Sequence, residues 1–95
     1  MSRTVTVSVQ VLPLTKNPYP VVDAAIAAIQ ASGIKYMVTP LETVMEGTLD
    51  DCLTAARAAH DACFTAGVQH VVTCIKISDS VTGSTIEDKL AKYRE

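Results

Sequence analysis

Residues 4–12, TVTVSVQVL, alternate without a break. Val5, Val7, Val9 and Val11 fall on one side of an extended chain, and Thr4, Thr6, Ser8 and Gln10 on the other. A period of two over this length predicts a half-buried β-strand. PLTKNPYP follows, with three prolines and an asparagine, and reads as a loop. The period then changes. In VVDAAIAAIQASG (21–33), Val22, Ala25, Ile26 and Ile29 recur at i, i+3, i+4 and i+7, which predicts an amphipathic helix opened by Pro20 and closed by Gly33. IKYMVT (34–39) predicts a second strand with Tyr36 and Val38 on one face. Pro40 has no N–H to give to a ladder, so a turn at 39–41 separates this strand from a third, ETVMEG, on which Glu42, Val44 and Glu46 share a side.

The second helix, at 48–67, carries the clearest end signals. Thr48 with Asp51 makes a capping pattern, Asp50 and Asp51 suit the positive end of the helix, and Gly67 marks the stop. Leu49, Leu53, Ala56, Cys63 and Phe64 form its expected apolar stripe. HVVTCIKIS (70–78) predicts the last strand and DSVTGS a turn. TIEDKLAKYRE (85–95) reads as a short C-terminal helix, with Thr85 and Asp88 repeating the cap pattern and Ile86, Leu90 and Tyr93 along one side.

The resulting order, β-α-β-β-α-β plus a terminal helix, predicts one ferredoxin-like α/β (α+β) sandwich over residues 1–95, with a four-stranded antiparallel sheet and both helices on one face. The valine side of the first strand packs on the helices. Thr6, Ser8, Gln10, Glu42, Val44, Glu46, Val72, Cys74 and Lys76 then line the opposite, uncovered face. Two carboxylates on that face imply contact with water or with something that wants negative charge.

Composition narrows the choice. The chain is 48% apolar, enough for a core without staples, yet 95 residues leave much apolar surface that self-association can cover. A net charge of −2 and a pI near 5.6 argue against a nucleic-acid partner, as do only three tyrosines and one phenylalanine for base stacking. The alternating N-terminus is neither a signal peptide nor a membrane anchor, so a cytoplasmic protein with no membrane partner is expected. Cys52, Cys63 and Cys74 are an odd set without close spacing and predict free thiols. His60 and His70 lack the spacing of a metal pair, and no metal site is expected. No phosphate loop, dinucleotide fingerprint or nucleophile elbow occurs, so no catalytic residue is assigned.

Glu42 and Glu46 are either solvated edge charges or the anchor of a cationic or amino-bearing small molecule. Lys76 can neutralise one of them, and Ser8 and Gln10 offer neutral donors and acceptors to orient a heteroaromatic ring. Each charge-assisted hydrogen bond contributes about 1.5–3 kcal/mol, so two or three suffice for a micromolar ligand.

TVTVSVQVLPL, GIKYMVTPLETVMEG, AGVQHVVTCIKI and TIEDKLAKYR together resemble the YkoF-like thiamine-binding family, across nearly the whole chain. The most specific pieces are Y-x-V-x-P-x-x-T-x-x-E-G, Tyr36 to Gly47, and the TIE-x-K-x-x-KYR tail. The resemblance implies that open sheet faces of two subunits stack and that such homodimers pair into homotetramers. It also implies binding of thiamine or its hydroxymethylpyrimidine part as ligand, with no known reaction and no further cofactor. Ser8, Thr43 and Glu46 fall on the family pattern, while Glu42 and Lys76 lie where family sequences vary. Strict alternation puts Thr43 on the helix side. The expectation is thus a thiamine binder whose ligand lies at the open sheet face or subunit interface, with Glu46 accepting from the aminopyrimidine or facing the thiazolium. The alternatives are an enzyme using Glu46 as general base and a structural or regulatory oligomer without ligand.

Overall fold

The alternation of the first strand decides the layering. In the computed structural model, which describes residues 3–83, 85–87 and 90, β1 spans Val5–Pro13, α1 Tyr19–Ala31, β2 Lys35–Val38, β3 Thr43–Gly47, α2 Leu49–Thr65 and β4 Val71–Ser78. The sheet order is β2-β3-β1-β4, with every neighbouring pair antiparallel. This is the ferredoxin-like arrangement. Val7 sits between Met45 and Ile77, and Val9 between Thr43 and Ile75. Val5, Val7, Val9 and Met45 are buried against both helices. On the opposite face Thr6 lies between Glu46 and Ser78, Ser8 between Val44 and Lys76, and Gln10 beside Cys74.

The strands are shorter at the hairpin than expected. Thr39 closes the β2–β3 turn on itself: its N–H and its hydroxyl both donate to the Glu42 carbonyl, at 2.9 and 2.6 Å, while its Oγ1 accepts from the Glu42 N–H at 3.1 Å. Glu42 therefore belongs to the turn, one residue before β3. This local solution suits the sequence, because Pro40 offers no amide to a ladder.

The helix faces also correct the sequence expectation. In α1 the buried positions are Val21, Ala25 and Ile29, with Val22 and Ile26 only half-buried. In α2 the buried stripe is Cys52, Ala55, Ala56, Ala59 and Cys63. Leu49, Leu53 and Phe64, expected inside, are 37, 38 and 46% exposed. Both stripes keep a helical period. The difference is size: small side chains let α2 approach β1 and α1 closely, and the bulkier residues are displaced to its flanks. Thr48 caps α2 by accepting from the Asp51 N–H at 3.1 Å. Gly67, at φ +99°, ends it in a conformation that L side chains rarely adopt.

The open face is covered at one end. Ile86, Glu87 and Leu90 are helical, and the Ile86 N–H donates to Glu46 Oε1 at 3.0 Å. Ile86 is buried, and Thr6, Glu46's neighbour on β1, is buried as well. The second half of the expected cap, Asp88, and the expected Tyr93 contact lie outside the described residues. Among those described, no helix is long and apolar enough to cross a membrane.

Met45 is fully buried between β1 and the helices, so Met45→Ala is expected to lower the unfolding free energy by about 2–5 kcal/mol. Leu53→Ala, on the half-exposed flank of α2, is expected to cost far less. Urea denaturation of the two variants checks the assignment of the α2 stripe.

Candidate functional site

β1 runs further than its partner. Its pairing with β3 ends at Val9↔Thr43, while residues 10–13 continue paired to β4 alone. The Thr39–Glu42 turn closes beside this unpaired stretch, and α1 crosses above it. The notch so formed opens a cavity of about 110 Å³. Val9 and Val11 of β1, Val22, Ala25, Ile26 and Ile29 of α1, and Val38, Pro40 and Leu41 near the turn give it apolar walls, while Gln10, Thr39, Glu42 and Thr43 supply the polar groups. A few convergent polar groups in an apolar recess are the usual makeup of a small-molecule site. The size is informative: a water occupies about 30 Å³ of liquid and a whole drug-sized ligand about 300 Å³ or more, so this recess suits one small ring.

Glu42 joins the cavity to the open sheet face. Its Oε2 pairs with Lys76 Nζ at 3.1 Å, and its carboxylate is hydrogen-bonded to Ser8. The Ser8 hydrogen bond, followed by that of Lys76, holds the Glu42 carboxyl below the ordinary carboxylate range against the opposing effect of burial. Side-chain exposure is 20% for Glu42 and 74% for Lys76. Water therefore screens the pair, and its contribution to stability is at the scale of an exposed salt bridge, about 1 kcal/mol or less.

Glu46 stands at the other end of the face. Its Oε1 accepts from the Ile86 N–H, and its Oε2 pairs with Lys35 Nζ at 2.8 Å. Its side chain is only 10% exposed. Both oxygens thus hold chain segments together, one across the sheet to Lys35 and one to the backbone at Ile86. Lys35 is held above the ordinary lysine range by this hydrogen bond and the Glu46 charge.

Of the residues singled out from sequence, Gln10, Glu42 and Thr43 meet at the cavity, with Ser8 and Lys76 on Glu42 from the open face. Thr43 is 6% exposed, on the helix side, where alternation places it. The apolar walls from α1, and Thr39 and Leu41, were not singled out; the signal was present in Pro40, whose turn stops the β1–β3 ladder. His60 accepts or donates at Nδ1 to Thr73 Oγ1, 2.7 Å away, and packs edge-on to Phe64. Cys52 and Cys63 are buried free thiols raised above their ordinary range chiefly by burial. Among the described residues no group of three or more His, Cys, Asp or Glu side chains is placed to hold a metal ion.

Because the folded carboxyl of Glu42 titrates below its unfolded value, its contribution is complete at neutral pH. It declines as pH falls below the ordinary value of 4.5 toward the depressed folded one. Ser8→Ala removes the largest cause of that depression. The variant is expected to be less stable at neutral pH by about 1 kcal/mol or less and to lose less stability on acidification than the parent. Urea midpoints at neutral and acid pH check this; parallel curves for the two proteins would refute it.

Residues 7–94 match the model of the family described as thiamine-binding protein. The chain is 38% identical over 93 residues to a UPF0045 protein of Clostridium perfringens, covering 96% of this chain and 98% of the relative. A Bacillus cereus structure, described as a domain of unknown function DUF77, superposes with a TM-score of 0.92 at 46% identity, covering 100% of this chain and 94% of the other. A Thermotoga maritima structure, described as a candidate thiamine biosynthesis or salvage protein, does so with a TM-score of 0.85 at 31% identity, covering 96% of this chain and 99% of the other. A match that runs through β1, the Pro40 turn and the C-terminal segment alike establishes that the chain belongs to the thiamine-binding protein family.

Proposed function

We propose that the protein binds thiamine or its hydroxymethylpyrimidine moiety, with the aminopyrimidine ring seated in the notch between α1 and the β2–β3 turn. The observation that carries this reading is the convergence of Gln10, Glu42 and Thr43 on one apolar recess of single-ring size. The Glu42 carboxylate accepts from the exocyclic amino group, and the Gln10 amide and Thr43 hydroxyl satisfy ring nitrogens. The alkyl walls of Ala25, Ile26 and Ile29 cover the ring faces. The thiazolium lies at the mouth, close enough to Glu42 to gain from its charge. The family match and the Thermotoga maritima neighbour support thiamine chemistry in particular. A general-base role for Glu46 draws no support from its surroundings, since both its oxygens are engaged.

The rest of the open face supports self-association. Leu12, Met37 and Val72 present 41, 42 and 43% of their surface there, an apolar set beside the Glu42–Lys76 pair. A second copy laid sheet to sheet covers them, with Lys76 on the edge strand β4 left at the rim, giving a homodimer able to pair further into a tetramer.

Glu42→Gln is expected to weaken thiamine binding about ten- to a hundredfold in calorimetry, the scale of one charge-assisted hydrogen bond, while Glu46→Gln leaves the binding site intact. Equal affinity for the Glu42 variant and the parent would overturn the assignment. For the face, Met37→Lys is expected to shift the sedimentation of the protein toward monomer; a monomeric parent would refute the stacking.

A further inference from the structure

The Glu42–Lys76 pair has a consequence for which form of the ligand the site prefers. Glu42 is reached from three directions: Ser8 donates to its carboxylate, Lys76 pairs with it from the open face, and the cavity opens onto it. Ser8 keeps the carboxylate oriented when Lys76 leaves. Lys76, by contrast, is held at one point, on a flexible stem that is 74% exposed. An amino-bearing, cationic ligand entering the cavity takes over the charge that Lys76 now compensates. It must compete with the lysine for one carboxylate, and it adds a positive charge to a pair that is otherwise neutral. A ligand that also carries an anionic tail removes the competition, because the ammonium released from Glu42, which lines the cavity, can pair with that tail instead. Lys35, the other described lysine of the open face, is already engaged by Glu46.

We propose that Lys76 is a specificity-determining residue that makes the site favour phosphate esters of the aminopyrimidine ligand over the free alcohol, the ring amino group exchanging for Lys76 on Glu42 while the Lys76 ammonium pairs with the phosphate. The inference rests on the ligand class proposed above and names its preferred form. At pH 7 a phosphate monoester carries between one and two negative charges, so it restores the balance that a thiazolium alone upsets.

The test is calorimetric titration of the full chain with thiamine and with thiamine monophosphate at low salt. The parent is expected to bind the monophosphate about two- to fivefold more tightly, the range an exposed charge pair supports. High salt should shrink that preference. Lys76→Met should abolish it and at the same time tighten binding of unphosphorylated thiamine, since the internal competitor is gone. Lys76→Arg should retain the preference. Equal affinities in the parent, or a preference that survives in Lys76→Met, would overturn the role of Lys76 while leaving the thiamine site standing. Absence of binding by both compounds would overturn the site itself, and the phosphate preference with it.

Discussion

The ladder between β1 and β3 stops at Val9↔Thr43, and the candidate site depends on that stop. If the hairpin had continued, Glu42 would be a strand residue paired opposite Gln10, the sheet would be closed, and no recess would open beneath α1. Pro40 prevents this. It withholds an amide, and Thr39 resolves the resulting turn by folding both its N–H and its hydroxyl onto the Glu42 carbonyl. The backbone polar groups of the turn are thereby satisfied locally, and the edge of β1 beyond Val9 is left for the cavity.

The two acids on one side of the sheet have separate duties. Glu46 is tied down at both oxygens and anchors the C-terminal segment over one end of the face. Glu42 is tied by a hydroxyl and by an exposed lysine, partners that a ligand can rearrange at little cost. The magnitudes point the same way. Displacing an exposed ion pair forfeits about 1 kcal/mol or less, whereas prising a carboxylate from a half-buried amide and an ammonium together costs several times that. Exchangeable charge at the notch and fixed charge at the far end fit a site and a strut respectively.

How far this was legible from residues alone follows from range. The period-two run of β1 marked its two faces because every second side chain must share a side, and the observed register keeps them. The Thr48 cap and the glycine stop of α2 are local and were equally plain. The α2 stripe was misjudged in part: Ala56 and Cys63 are buried as expected, but hydrophobic ranking favours leucine and phenylalanine where the observed stripe is filled by alanine and cysteine. The duty of Glu46 was invisible for a different reason. Its partner amide lies 40 residues on, and no periodicity reports a contact between a strand and a segment that follows the last strand. Glu42 and Lys76, 34 residues apart, were placed on one face by alternation, but their pairing needed the register.

The most direct test of the notch as the ligand site is a map of amide chemical-shift changes on titrating thiamine into isotopically labelled protein. Changes centred on Gln10, Ala25, Ile26, Glu42 and Thr43, with Lys35 and Ile86 unmoved, are what the geometry requires. Changes centred on Lys35, Glu46 and Ile86 would contradict it, and so would a spectrum that does not respond.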